Sequence, residues 1–165
     1  MSVSTAYSLH LYGSTAGDVI PFDPTAKLVV ALRYRYQLQL PTREGVNVQL
    51  DDVTVPEVRR GFKFPPDAFR SASLRKEFVS RALRNVIGGG GTAEDESARE
   101  ELAQRISSFA VETAAKYGMK TSAVVAVVGV NRVEVVGRQE VVDFLAGHQR
   151  QQQQKTSQQQ QTTLA

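Results

Sequence analysis

The stretch from Lys27 to Leu50 reads KLVVALRYRYQLQLPTREGVNVQL, and it decides the fold class. Its first half places Leu32, Tyr34, Tyr36, Leu38 and Leu40 at alternate positions, with arginine and glutamine between them. Such alternation is typical of a β-strand that buries one face and exposes the other. The stretch 41–45 interrupts the pattern, and an alternation of valine, asparagine and glutamine follows it. The sequence therefore predicts two antiparallel strands joined by a hairpin loop.

Other strands are predicted on both sides of this hairpin. Alternation over 7–12 indicates a first strand, and Gly13 ends it. Beyond Leu50, two aspartates and Pro56 weaken the third strand, which we expect to fray or bulge there. Residues 123–128 are apolar at every position, which favours a central strand covered on both faces. A turn at 129–132 and a partner strand at 133–136 should follow.

Helical periodicity appears in two long segments. Pro65 and Pro66 stand at the entrance to a predicted helix that ends near Ile87, and the water-facing side of that helix is basic. The four glycines of 88–91 should stop it and form a flexible joint. A capping-box pattern, Thr92 followed by Asp95, predicts the start of a second helix that ends at Gly118. The stretch 138–146 has the pattern of a short closing helix.

These elements give the order β-β-β-α-α-β-β-α. That order predicts a two-layer α+β domain with an antiparallel or mixed sheet and with the helices mainly on one face. We expect residues 1–147 to form this single domain. Residues 148–165 include nine glutamines and no aromatic residue, so the sequence predicts a disordered Gln-rich tail there.

The residue types disfavour most catalytic chemistry. The chain has no cysteine and two histidines, which excludes thiolate zinc sites, disulfides and cysteine nucleophiles. The paired carboxylates stand at adjacent positions, where side chains diverge on a strand or helix, so we interpret them as solvated or capping groups. The glycine run follows a helix and lacks the lysine of a phosphate loop, so a linker is favoured over phosphate binding. We expect no catalytic residue, no metal and no cofactor.

Targeting signals are not evident in the sequence. Residues 1–26 contain no lysine or arginine, unlike the charged start of a signal peptide. The longest apolar run is far shorter than the roughly 20 residues of a membrane helix. The sequence therefore predicts a soluble protein that does not enter a membrane. Its expected location is the cytoplasm, and the nucleus or a large assembly also fits.

Basic residues are concentrated in the middle of the chain. Residues 27–87 carry 12 basic and 6 acidic side chains, whereas residues 88–147 carry 6 basic and 9 acidic ones. The middle segment also holds a cluster of basic and aromatic residues that we select as candidate partner-binding residues. They are Arg33, Arg35, Arg59, Arg60, Phe62, Lys63, Phe64, Arg70, Arg75, Arg81 and Arg84.

Three interpretations of this basic-aromatic cluster are open. It could bind an acidic protein surface, bind RNA or single-stranded DNA by backbone contacts and base stacking, or pair internally with the acidic second helix. We favour protein contact, because the body of the chain is nearly neutral. The hypothesis is a non-enzymatic interaction or assembly protein, a small subunit of a larger complex or homo-oligomer. The alternative hypothesis is a nucleic-acid-binding module.

Overall fold

The computed structural model describes residues 2–137 except 22 and 24, together with residues 146 and 147. It confirms an α+β fold in which four strands form one mixed sheet. The elements in chain order are β1 (Ser2–Thr15), α1 (Ala16–Val19), β2 (Lys27–Pro41), β3 (Asn47–Lys63), α2 (Ala72–Ile87), α3 (Ala93–Tyr117) and β4 (Ser122–Val135). The predicted closing helix falls almost wholly, and the Gln-rich tail wholly, outside the described residues.

The strand order in the sheet is β1-β4-β2-β3. β4 therefore occupies an interior position, which confirms the prediction of a central strand. Tyr36 on β2 donates a hydrogen bond to Glu134 on β4, and the amide of Val136 donates to the carbonyl of Gln39 at 2.9 Å. Because both numbers rise together, β2 and β4 run in the same direction.

β1 runs in the opposite direction beside β4. The amide of Ala16, the residue after β1, donates to the carbonyl of Thr121 at 2.6 Å, and Ser8 lies beside Gly129. The predicted turn at 129–132 and the separate partner strand at 133–136 are wrong, because β4 continues without a break to Val135. Gly129 serves close strand packing instead: the hydroxyl of Ser8 occupies the space that a Cβ atom would take there.

The described chain forms two compact units. The core unit consists of residues 5–35 and 54–132, and the hairpin unit contains residues 2–4, 36–53 and 133–137. The single domain expected over residues 1–147 stays a prediction.

The core unit buries its apolar side chains between one sheet face and the two long helices. Leu28 and Val30 of β2 belong to the same cluster as Leu83 of α2 and Ile106 of α3, and all four are nearly inaccessible to water. Since alternate residues of β2 face this cluster, Arg33 and Arg35 project from the opposite side. We call that side, opposite α2 and α3, the far face.

The two long helices begin at side-chain caps. The hydroxyl of Ser71 accepts a hydrogen bond from the amide of Leu74 at the start of α2. At the start of α3, Thr92 and Asp95 form the predicted capping box, with bonds of 3.2 and 3.0 Å between each side chain and the other residue's amide. Tyr7 of β1 also donates to the Asp95 carboxylate at 3.2 Å, which ties the helix start to the sheet.

The hairpin unit is built around the turn between β2 and β3. The amide of Thr42 donates to the carbonyl of Val46, and Gly45 has a φ of +81°, a conformation that favours glycine. The predicted hairpin is therefore confirmed. Gln37 and Gln49 face each other across it, with their side-chain amides 3.3 Å apart.

β3 is much longer than its sequence pattern predicts. It passes through the two aspartates and Pro56 and ends at Lys63. The amide of Phe64 donates to the carbonyl of Ala26 at the far end of the β2–β3 pair. Between this bond and the Thr42–Val46 bond, the β3 side runs from residue 46 to residue 64, and the facing β2 side runs from residue 42 back to residue 26. The β3 side is therefore longer by two residues. The strand thus bulges where fraying was the other expectation.

Candidate protein-interaction surface

β3 forms one edge of the sheet and is exposed along nearly its whole length. Every residue of the strand is exposed except Phe62, which is half-buried. Large aliphatic side chains are prominent on and just before this strand, with exposed fractions of 41–67%. They are Val46, Val48, Leu50, Val53, Val55 and Val58. We call the strand Asn47–Lys63 with its outward backbone groups the β3 edge.

Two backbone hydrogen bonds lie just beyond the ends of β3. Val46 accepts from Thr42 and Phe64 donates to Ala26, so even-numbered residues next to these ends turn their N–H and C=O groups toward the β2 side. The odd-numbered residues there turn these groups outward. They include Asn47 and Gln49 at one end and Arg59, Gly61 and Lys63 at the other. Such a row of outward groups is the template to which a further strand can pair.

An ion-pair cluster occupies the far face of the core unit. Glu57 of β3 accepts hydrogen bonds from Arg33 at 2.9 Å and from Arg59 at 2.8 Å. The bond from Arg59, followed by that from Arg33, lowers the pKa of the Glu57 carboxyl below its ordinary value. Because all three side chains are substantially exposed, the pairing contributes little to stability and chiefly orients the two guanidinium groups.

A groove of about 350 Å³ lies beside this cluster, also within the core unit. Arg33, Arg35, Ser8, Thr54 and Asn131 contribute to its lining. The Oδ1 atom of Asn131 is buried and has no hydrogen-bond partner among the described residues. The two arginine side chains and the hydroxyl groups supply hydrogen-bond donors that suit an anionic or strongly polar ligand, whereas the Asn131 Oδ1 atom is an acceptor.

A second charged cluster holds the end of β3. Lys27 is 2% exposed, and its ammonium group bonds to the Asp23 carboxylate at 2.7 Å and to the Asp23 carbonyl at 3.1 Å. Lys63 lies 3.8 Å from the same carboxylate. The hydrogen bond from Lys27 is the main cause that lowers the pKa of Asp23 well below its usual range. Asp23 thus neutralises a buried lysine and anchors the last residue of the β3 edge.

The aromatic members of the predicted cluster are part of the apolar core. Phe64 is buried, with ring centroids 4.9 Å from Phe69 and 5.0 Å from Phe78. Phe62 is partly buried against the same cluster. Their rings contribute packing area to the core unit.

The basic members of the predicted cluster are distributed over several places. Arg60 donates to Asn85 on α2 at 2.6 Å, and half-buried Arg75 donates to Ser107 on α3 at 3.0 Å. Arg81 pairs with Glu77 on its own helix. The structure gathers only Arg33, Arg35 and Arg59 around Glu57 and the groove.

The remaining predicted residues lie on or near α2. Arg70 is exposed just before the helix, and Arg84 lines a cleft of about 560 Å³ between α2, α3 and the glycines 89–91. Lys76 and Glu100 bridge the two helices across this cleft at 3.0 Å. Part of the basic surface of α2 is therefore neutralised within the protein, as the internal-pairing interpretation expected.

Sequence reasoning missed the exposed aliphatic residues of the hairpin. Val46, Val48 and Leu50 were recognised as one face of a strand, and such a face is ordinarily interpreted as buried. Alternation alone does not distinguish an exposed face from a buried one.

The described residues contain no group of three or more histidine, aspartate or glutamate side chains placed to hold a metal ion. None of the helices in the described part of the chain has the length and apolar character that crossing a membrane requires. No protein-family model, curated protein or solved structure matches this chain.

Proposed function

We propose that this protein is a non-enzymatic interaction protein, a small structural subunit of a homo-oligomer or larger complex. The observation that carries the proposal is the β3 edge, a 17-residue strand at the border of the sheet with exposed valine and leucine side chains along it. Cytoplasmic residence is part of the same proposal.

The composition of the β3 edge favours a partner. Proteins that work as monomers protect edge strands by keeping them short, charging them or covering them, because an exposed edge pairs with other chains. β3 carries charges, a proline and a bulge of the kind that protect edges, but it is also long, and Val48 and Leu50 are 49% and 46% exposed within it. Exposed apolar residues that recur along an edge strand favour an interaction site.

The charged groups of the core unit support a binding role. The carboxylates of Asp23, Glu57 and Asp95 form ion pairs or accept hydrogen bonds, and each has a pKa below its ordinary value. A general acid or base near neutral pH needs a pKa moved toward 7 instead. These groups therefore act in structure and recognition.

A second candidate function is the binding of RNA or single-stranded DNA. The observation that favours it is the groove on the far face, where Arg33 and Arg35 stand together with the amide of Asn131. Arginine pairs of this kind bind phosphate groups, and such binding weakens steeply as salt rises.

Light scattering on the purified full chain, with a pull-down from native lysate, tests the leading proposal. We expect an oligomer or a captured complex, and we expect Leu50→Lys to reduce it. Val111→Lys is the matched control, because Val111 on α3 is similarly exposed, at 42%, but lies outside the β3 edge.

A persistent monomer that captures nothing, or an equal effect of both lysine variants, would count against the interaction proposal. Electrophoretic mobility shifts with single-stranded oligonucleotides at low salt test the second candidate. Binding that is abolished by Arg33→Glu together with Arg35→Glu would favour nucleic acid as the partner.

A further inference from the structure

We infer that two copies of this chain pair antiparallel through β1, the strand at the other border of the sheet, across a twofold axis. The inference rests on the proposed interaction function and adds a contact to it: β3 meets a partner at one border, and β1 joins two copies at the opposite one. The contact consists of residues 5–15 of β1, which lie wholly within the core unit. We call this stretch the β1 edge.

The β1 edge lacks the features that protect edge strands. β1 is 14 residues long and contains no lysine, arginine, aspartate, glutamate or proline. It is also regular: β4 has 14 residues too, and two separate contacts, Ala16 with Thr121 and Ser8 with Gly129, give the same register between the strands. A long edge without charge, proline or bulge is a template to which a further strand can pair.

The register with β4 establishes which backbone groups of the β1 edge face outward. In antiparallel strands, residues that bond directly to each other alternate with residues that turn their N–H and C=O groups away. Because the Ala16 amide bonds to Thr121, the even-numbered residues of β1 bond to β4 and the odd-numbered residues turn outward. Within the described residues, Leu9, Leu11 and Gly13 make no backbone hydrogen bond outside the sheet. Their outward groups therefore suit an added strand.

The side chains of the β1 edge favour a second copy as that strand. An edge without acidic or basic residues offers no charge complement to an acidic or a basic peptide. Pairing across a twofold axis normal to the sheet instead places each face of the strand beside the same face of the other copy. Leu9 and Leu11 then meet apolar side chains on the helix side, and exposed Ser8, His10 and Tyr12 meet uncharged polar ones on the far face. Neither face creates a like-charge contact.

One register joins the outward groups over the whole β1 edge. It pairs Thr5 with Thr15 of the second copy, so the twofold axis passes through His10. Any other register that joins odd-numbered positions overlaps a smaller part of residues 5–15. In this register Leu9 lies beside Leu11 of the second copy, and pairs of apolar residues across two strands are stabilising.

Single-cysteine variants of the full chain test this arrangement directly, because the protein has no cysteine of its own. At the axis, His10 faces His10 of the second copy, and Cα atoms of such pairs without direct backbone bonds are about 4.5 Å apart, within the range of a disulfide. We expect His10→Cys to form a disulfide-linked dimer under mild oxidation. Leu74→Cys, at an exposed position on α2, is the control and should remain monomeric on a non-reducing gel.

A mixture of Ala6→Cys and Ser14→Cys proteins tests the register, because residue 6 of one copy faces residue 14 of the other. Each variant alone should give little cross-linked dimer, and the mixture should give a mixed dimer identified by mass spectrometry. Equal cross-linking by either variant alone would overturn the register and with it the inference.

Charges placed on the axis complete the test in sedimentation experiments. Since like charges directly opposite each other are destabilising, we expect His10→Lys and His10→Glu each to raise the dimer dissociation constant about fivefold. A mixture of these two variants should recover the lost affinity, because the opposed charges then attract. His10→Gln is the control, since it removes the imidazole without adding a charge, and it should leave the dissociation constant within about twofold of the wild-type value.

Two results would overturn the inference: a wild-type chain that stays monomeric, or a dimer that is indifferent to charge at position 10 and not cross-linked through His10→Cys. Leu50→Lys separates this contact from the β3 edge, because it should weaken complexes made through β3 and leave the β1 pairing intact. If the β1 dimer fails, a complex that depends on Leu50 would still support the interaction proposal. Loss of that complex as well would remove both.

Discussion

The core unit and the hairpin unit both contain strands with alternating apolar residues, but these residues are buried in the core unit and exposed in the hairpin unit. In the core unit, Leu28 and Val30 of β2 are fully buried beneath α2 and α3. In the hairpin unit, Val48 and Leu50 have the same alternating pattern and are about half exposed. The comparison teaches that alternation identifies an apolar face but does not identify what covers it. Within this chain the helices cover the first face, and we propose that a partner covers the second.

The largest expected effect is the removal of a side chain from the core unit. Leu83 of α2 is 1% exposed within the apolar cluster, so Leu83→Ala should leave a cavity and lower the free energy of unfolding by about 2–5 kcal/mol. Urea denaturation of dilute protein measures this loss. A loss below 1 kcal/mol would show that the contact between helix and sheet is looser than described.

A smaller loss is expected from Gly13→Ala on β1. A Cβ atom there would lie 2.8 Å from the hydroxyl of Thr113 and 3.0 Å from its methyl group. Because that hydroxyl is bonded to the carbonyl of Phe109 on α3, relief requires the helix to shift, at a cost of about 1–3 kcal/mol. Gly17→Ala is the control, since no atom stands within 4 Å of its Cβ position. Equal melting temperatures for the two variants would contradict close packing of β1 against α3.

The capping box of α3 should make stability depend on pH. The bond from the Thr92 amide is the first cause that holds the pKa of Asp95 below its ordinary value of 3.8. The Asp95 carboxylate therefore stabilises the folded state at pH values above 3.8, and this stabilisation is lost as the pH falls through the pKa of the folded state. At pH 7, Asp95→Ala should lower the free energy of unfolding by about 1 kcal/mol.

Thermal melts of wild type and Asp95→Ala between pH 7 and pH 2 measure this dependence. The difference between them should shrink as the pH falls below about 4, because there the Asp95 carboxyl of the unfolded chain binds protons before that of the folded chain does. Glu94→Ala, in the same first turn of α3, controls for the loss of a negative charge near the helix start. A difference that stays constant over the whole range would exclude the carboxylate as its source.

The smallest effect on folding is expected in the hairpin unit. Leu50→Ala removes a side chain that is 46% exposed, so the unfolding free energy of dilute protein should change by no more than about 0.5 kcal/mol. Chemical denaturation below the concentration at which the chain associates measures this value. A loss as large as that of Leu83→Ala would mean that the hairpin face is covered within a single chain, and the contrast between the two units would disappear.

Local patterns predicted the parts of the fold that depend on neighbouring residues. Gly45 and the alternation around it predicted the hairpin, and Thr92 with Asp95 predicted the start of α3, because turns and caps are decided within a few residues. The extension of β3 through Pro56 was not predicted. Pairing with β2 outweighs the poor strand propensity of these residues.

The candidate site was less predictable than the fold. Arg33 and Arg59 were selected from the sequence, and the structure places both on Glu57. Phe64 was selected for the same surface, but it packs against Phe69 and Phe78 in the core. Whether an aromatic residue near a basic cluster faces water or the core depends on which strand face it occupies, and the sequence pattern over 59–64 does not indicate that face.

The sequence by itself determined the strand and helix types, the caps, the hairpin turn and the central place of the apolar strand β4, because each follows from side-chain spacing or from a short-range hydrogen bond. Only the tertiary structure decided that β3 is an edge, that its aliphatic side chains are uncovered, and that the arginines of α2 are separated from those of β2. These properties depend on which distant segments meet, and the interactions that bring them together are summed over the whole chain rather than encoded in any one stretch of it.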